Sequence, residues 1–336
     1  MNYLSVENLS KTFGIKQLFK NISFGLNKGD KVGLIAKNGT GKSTLLKIIA
    51  NEEDSDSGAV IFRNGITIGF LSQNEDFEES KTIEEVIFDG NNPIFKAVKD
   101  YNYCIEKNIE GKAMEDAFES MNQHNAWDIE LRLEQILSEL KVNLPKQKIS
   151  NLSGGQLKRL SLARVLVNNP DFMILDEPTN HLDLDMIEWL ENYLSKNAST
   201  VIMVTHDRYF LETICNNIIE LDQGNIYKYT GNYSYYLEKK AEREELEQTN
   251  VTKAKNLMRT ELEWMRRMPK ARGTKSKARK DAFYDLKGRA SKKLAKDELL
   301  LDVKMDRLGS KTVEFHNVGK SFGDLTILNK FNYNFQ

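Results

Sequence analysis

The chain has 336 residues, 48 Lys+Arg against 49 Asp+Glu, and a formal net charge of −1. With 40% hydrophobic and 29% charged residues it can bury a core, which excludes a wholly disordered or fibrous chain; its length predicts two domains. Two cysteines, Cys104 and Cys215, exclude a disulfide framework and suit a reducing compartment, and no apolar run reaches the ~18 residues of a membrane span.

The first ten residues lack the basic and apolar regions of a signal peptide. Residues 22–26, 31–36, 60–62 and 66–71 read as strands, the last two flanking Asn64-Gly65, a hairpin dipeptide. Leu45, Leu46, Ile48 and Ile49 signal a helix behind a Gly-rich loop. Helical periodicity then runs from 81 to 141: Ile83, Val86 and Ile87, then 94–98, then Leu131, Leu133, Ile136, Leu137 and Leu140. Strands return at 171–175 and 201–205 as near-continuous apolar runs, the pattern of strands buried on both faces of a parallel sheet. Helices at 156–167, 184–194 and 208–214 complete an α/β pattern.

The composition shifts near Asn232. Residues 233–268 contain many charges and no Gly or Pro before position 269, which predicts a helix of ~54 Å at 1.5 Å per residue. Pro269 and Gly273 break it, and 276–301 predicts a second helix, giving an antiparallel helical hairpin. The tail repeats the beginning: 313–323 matches 4–14, and 326–332 matches 17–23. A second copy of the first domain is therefore expected to start near Lys311. The sequence ends at Gln336, before that copy's phosphate loop, and reads as a fragment of a longer protein.

Ala36, Lys37, Asn38, Gly39, Thr40, Gly41, Lys42 and Ser43 form a Walker A loop between a strand and a helix. Gly39 and Gly41 let backbone N–H groups face phosphate oxygens. Lys42 is expected to reach the β/γ-phosphates and the Ser43 hydroxyl to ligate Mg²⁺, with Asn38 and Thr44 in the same binding segment. Ala36 stands where the motif usually has Gly. Residues 172–177 read as a Walker B strand ending in Asp176, to hold Mg²⁺, and Glu177, to orient and polarise the attacking water. Ser153, Gly154, Gly155 and Gln156, behind Leu152, open a helix as an anion site.

In this order the motifs resemble an ATP-binding-cassette (ABC) ATPase. The resemblance implies an α/β P-loop cassette with a parallel core sheet, an antiparallel β-subdomain and a helical subdomain at about 78–165. It implies ATP and Mg²⁺ as cofactors, and contact of Ser153–Gln156 with the γ-phosphate held by another cassette. Gln73 looks like the Q-loop glutamine linking Mg²⁺ and water, and His206 like the switch histidine at the γ-phosphate. Phe13 falls where the family stacks an aromatic on adenine; a core phenylalanine is the alternative. Leu182-Asp183 resembles the D-loop that meets the partner cassette.

Three features resemble the ABC-F family rather than transporter motors. Asn180-His181 stands between Thr179 and Leu182, the cassette begins to repeat, and a charged helical segment separates the copies. The expected domains are a cassette at 1–231, a helical-hairpin linker at 232–310, and the first strands of a second cassette at 311–336. Residues 264–296 hold 13 Lys/Arg and two acids, Asp281 and Asp285, a net +11 against −12 for the remainder. The near-zero total, which alone argues against nucleic acid, hides a basic arm. Trp264, Phe283 and Tyr284 are interleaved with it and suit stacking on unpaired bases.

The resemblance implies a cytoplasmic ATPase acting as a translation factor, its linker placed near the P-site tRNA when ATP closes paired cassettes. Ribosome and tRNA would be met through Arg266, Arg267, Lys270, Arg272, Lys275, Lys277, Arg279 and Lys280, with no membrane partner. The run at 264–275 looks like the Uup-like branch. Without its second cassette in cis the chain is expected to be poorly active, or to pair as a homodimer. A DNA-repair ABC ATPase and a transporter ATP-binding subunit are the alternatives.

Overall fold

The computed structural model describes residues 1–73, 77–88, 93–124, 126–142, 147–266, 277–290, 313–323 and 325–335. The chain divides into two compact units, Met1–Leu246 and Glu247–Gln336.

The first unit is built on a six-stranded sheet. Its strands are β3 (Lys31–Ala36), β5 (Ile68–Leu71), β6 (Phe172–Asp176), β7 (Thr200–Val204), β8 (Asn217–Asp222) and β9 (Asn225–Thr230). Their order is β5-β6-β7-β3-β8-β9, parallel except for β9, which runs antiparallel to β8. Side chains alternate across it, as strand geometry requires. Phe172, Ile174, Ile202 and Val204 join one core with α1 (Lys42–Ile49); Met173, Leu175, Val201 and Met203 join the other with α6 (Gly154–Val167) and α7 (Leu184–Lys196). That two-sided burial is why β6 and β7 read as continuous apolar runs.

A three-stranded antiparallel sheet of β1 (Asn2–Phe13), β2 (Lys16–Asn27) and β4 (Ser57–Phe62) packs Leu4, Val6, Phe19 and Phe24 into the α1 core. Asn64-Gly65 does not join a hairpin, because β4 pairs with β1 while β5 pairs with β6. Gly65 makes the turn at φ +82°, but the strands leave it for different sheets. Thr67 is held at the second sheet by its amide and hydroxyl, each donating to Asp171 Oδ2 at 2.9 Å.

Helices α2 (Ile83–Ile87), α3 (Pro93–Glu106), α4 (Lys112–Gln123) and α5 (Ile129–Glu139) form the helical layer leading to α6. Their apolar positions, including Ile83, Val86, Phe95, Ile136 and Leu137, are buried together with Leu160 and Leu166 of α6. A short α8 (Arg208–Ile214) follows β7. The long helix α9 (Tyr233–Arg266) begins inside the first unit. Its Tyr236 is buried, and Lys240 and Arg243 reach Glu220 of β8 at 2.7 and 2.8 Å. These contacts carry the first unit past residue 231.

The second unit contains the rest of α9, then α10 (Lys277–Ala290) and a two-stranded antiparallel sheet of β10 (Val313–Phe322) and β11 (Leu325–Phe335). Leu286 of α10 lines one groove with Val251, Ala254 and Leu257 of α9. Residues 267–276 and 291–312, on which part of the predicted helices and the start of the repeat fall, lie outside the described residues.

The repeat is structural as well as sequential. Asn8, Gly14 and Asn21 have φ of 47°, 58° and 50°; their counterparts Asn317, Gly323 and Lys330 have 49°, 56° and 49°. The Asn8 amide donates to Ser23 Oγ at 2.8 Å, and the Asn317 amide to Asn332 Oδ1 at 2.8 Å. Two hairpins with the same irregularities at the same offsets form the same element.

Candidate nucleotide-binding site

A cleft of about 610 Å³ opens at the carboxyl ends of β3, β6 and β7. Crevices at that end of a parallel sheet are where ligands bind. Its floor is the loop from Asn38 to Thr44. Gly39 and Gly41 have φ of +73° and +97°, a region that favours glycine, and a methyl on Gly41 would meet Leu18 at 3.0 Å. The loop opens α1, whose N-terminal N–H groups and dipole suit an anion. Lys42 Nζ donates to the Ala36 carbonyl at 2.9 Å and to Asn38 Oδ1 at 3.3 Å, folding the ammonium over the loop. Burial pulls the Lys42 pKa down, opposed by the charges of Glu177 and Asp176.

Asp176 ends β6 and Glu177 follows it, both lining the cleft. Both Asp176 oxygens are buried without a hydrogen-bond partner within bonding distance. Burial pushes this carboxyl above its usual range; the Ser43 hydroxyl and the charges of Lys158, Lys42 and Lys47 oppose the shift. An orphaned carboxylate beside a hydroxyl and a phosphate loop fits Mg²⁺, which takes few protein ligands and completes its shell with phosphate and water. Ser43, Gln73 and Asp176 line the cleft together.

Glu177 adopts φ +53° and its amide donates to the Val204 carbonyl at 2.8 Å, which aims its side chain at the β7–α8 junction. There the His206 amide donates to Glu177 Oε2 at 3.3 Å and His206 Nε2 lies 3.5 Å from Oε1. The hydroxyls of Thr179 and Thr205, buried and 2.9 Å apart, tie the two loops together. Burial raises the Glu177 pKa, opposed by His206.

Phe13 lines the same cleft and is 72% exposed, so it is not a core residue. Ser153, Gly154, Gly155 and Gln156 stand apart from the cleft. Ser153 and Gln156 form a capping box at the start of α6, leaving Gly154 exposed.

Several contributors have no motif. Lys16 and Leu18 of β2 line the cleft, and Lys16 Nζ donates to the Gly39 carbonyl at 2.7 Å. Lys158 of α6 donates to the carbonyls of Ser72 and Gln73 at 2.5 and 2.8 Å, fixing the main chain that carries Gln73. Of the basic linker residues, Arg266 closes α9, while Lys277, Arg279 and Lys280 lie on α10. Arg267, Lys270, Arg272 and Lys275 lie outside the described residues. Among the described residues no helix is long and apolar enough to cross a membrane.

Fold and cleft together define a P-loop nucleotide-binding cassette of the ABC class. A family model described as ABC transporter matches residues 19–180, and a second with the same description matches 219–298. An uncharacterized ABC transporter ATP-binding protein of Bacillus subtilis (strain 168), YfmR, is 41% identical over 99% of this chain and 54% of its own length. The energy-dependent translational throttle protein EttA of Mycobacterium tuberculosis (strain CDC 1551 / Oshkosh) is 33% identical over 98% of this chain and 60% of its own. A solved ATP-binding subunit of an ABC transporter shares the fold, with TM-score 0.52 and 21% identity over 68% of this chain and 90% of that one. On the cassette, the linked second match and these relatives, the chain belongs to the ABC ATPases. It spans little more than half the length of the curated relatives it matches.

Proposed function

We propose that the chain is the first cassette and linker of an ATP-hydrolysing ABC-F protein that acts on the ribosome as a translation factor in the cytoplasm. The observation that carries the ATPase reading is the convergence of Lys42, Ser43, Asp176, Glu177 and His206 on one cleft. Lys42 and the loop amides bind the β- and γ-phosphates, and Phe13 stacks on the adenine. Glu177, held by the His206 amide, accepts a proton from water aligned for in-line attack; His206 steadies the γ-phosphate. Ser43, Gln73 and Asp176 would hold Mg²⁺, which would supply positive charge against the phosphates.

Ser153–Gln156 serve a nucleotide on another cassette, which supplies the reciprocal signature to Lys42. The chain alone therefore turns over slowly, and homodimer pairing makes its rate depend on protein concentration. The translation reading is supported by EttA's name and by the +11 charge of residues 264–296, which suits an arm drawn to RNA phosphates near the P-site tRNA. Membership of the Uup-like branch rests on residues 264–275, most of which lie outside the described residues.

The test uses the protein with both cassettes and its Glu177→Gln variant. The variant is expected to retain ATP through gel filtration while the parent releases ADP. Equal turnover by both proteins removes Glu177 from the chemistry.

A further inference from the structure

Helix α5 ends in a left-handed reversal. The Lys141 amide donates to the Ser138 carbonyl at 3.0 Å and the Val142 amide to the Leu137 carbonyl at 2.8 Å. This is the glycine-type helix stop, and Lys141 occupies it at φ +51°. Its ammonium lies 2.6 Å from Asp183 Oδ2. The other Asp183 oxygen, Oδ1, accepts the Met186 amide at 3.1 Å and caps α7. Hydrogen bonding between the two raises the Lys141 pKa and lowers that of Asp183. Both side chains are about half exposed, so the pair contributes little to stability. Stability alone would favour glycine at residue 141.

Asp183 closes the segment that starts at Glu177. Two residues in it, Glu177 and His181, have left-handed backbones at φ +53° and +65°. Weak internal bonds, Asn180 amide to Glu177 carbonyl and Leu182 amide to Thr179 carbonyl, both 3.3 Å, do little to fix it. The near end is pinned by Val204 and by the Thr179–Thr205 pair. The far end is pinned by Asp183. The end of α5 is itself tied to the signature helix, because Arg159 donates to the Leu140 carbonyl at 3.1 Å and to the Gly155 carbonyl at 3.4 Å.

We propose that Lys141 is a positioning residue: by holding Asp183 it fixes the segment behind Glu177 to the end of α5, which Arg159 ties to the signature helix α6. The glycine-type stop is given up to place a cation there. This rests on the ATPase reading above.

The test is Lys141→Gly in the two-cassette protein. Glycine suits the backbone, so Tm is expected to hold or rise. The kcat is expected to fall ~10-fold with KM for ATP within about twofold, the signature of lost orientation rather than lost binding. Lys141→Arg is expected to keep kcat. Asp183→Asn, which keeps the cap oxygen and loses the charge, is expected to match Lys141→Gly, and the double variant to be no worse than either. Parental kcat in Lys141→Gly, or additive losses in the double variant, overturns the positioning role and leaves the ATPase reading standing. A two-cassette parent that hydrolyses no ATP overturns both.

Discussion

Glu177 and His206 meet twice: the His206 amide donates to Oε2 at 3.3 Å, and its Nε2 stands 3.5 Å from Oε1. The carboxylate is buried, the imidazole 68% exposed. A base held by a backbone amide keeps its aim whether or not the imidazole is charged. Burial raises the Glu177 pKa above its ordinary 4.5, so the base is protonated earlier on acidification. The acid limb of kcat/KM, which reports the free enzyme, should therefore lie above pH 4.5 in the two-cassette protein. Glu177→Gln should lower kcat by about 100-fold or more. A limb at or below 4.5 contradicts the assignment.

Asp176 makes a stability prediction with a defined sign. Its pKa is raised by burial from 3.8. Between 3.8 and the raised value, the folded chain holds a proton the unfolded chain has released. The stability this group provides is full below 3.8 and is lost as pH rises through the folded pKa. Asp176→Asn removes that loss. It should raise the nucleotide-free Tm at pH 7 by roughly 2–4 °C, the effect of about 1 kcal/mol in a domain of this size, while weakening Mg²⁺-dependent ATP binding. A lower Tm would show that Asp176 is satisfied by partners in the empty cleft.

The root of α9 rests on one buried carboxylate. Glu220 is 2% exposed and bonds Tyr236 Oη at 3.1 Å, Lys240 at 2.7 Å and Arg243 at 2.8 Å. Burial alone would raise its pKa; the Lys240 bond and the charges of Lys240 and Arg243 hold it below 4.5 instead. The stability it contributes is present above 4.5 and lost as pH falls through the depressed pKa. Lys240→Met should cost about 2–4 kcal/mol in urea unfolding at pH 7, because it strands part of a buried charge. A change under about 0.5 kcal/mol would mean that Arg243 alone suffices.

Phe13 separates binding from folding. Its ring is exposed and lines the cleft, so Phe13→Ala should leave Tm unchanged. Base–aromatic stacking of about 1–3 kcal/mol predicts a rise of roughly 5- to 160-fold in the Kd for ATP, read by a fluorescent ATP analogue. Unaltered affinity sinks the stacking role.

What the sequence discloses follows how local each feature is. The loop from Asn38 to Thr44, the β6 carboxylates and the capping box at Ser153 are contiguous, so each carries its own signal. Gln73 becomes readable through its place between the loop and the capping box, and His206 through its place after the β6 carboxylates. The tail repeat is legible because its left-handed positions, Asn317 and Gly323, recur at one offset from Asn8 and Gly14. Lys16 is invisible, since only the pairing of β1 with β2 brings it to Gly39. Lys141 and Asp183 lie 42 residues apart and share no pattern. Asn64-Gly65 misleads for the same reason: a dipeptide sets a turn, but which sheet the next strand joins is decided by Thr67, Asp171 and β6.

The most direct measurement is sucrose-gradient sedimentation of the two-cassette Glu177→Gln protein with ribosomes, in ATP and in ADP. Co-migration with ribosomes in ATP and release in ADP are expected, with binding weakened as salt rises. Sedimentation apart from ribosomes in both nucleotides, from a protein that still binds ATP, would contradict the proposed role on the ribosome.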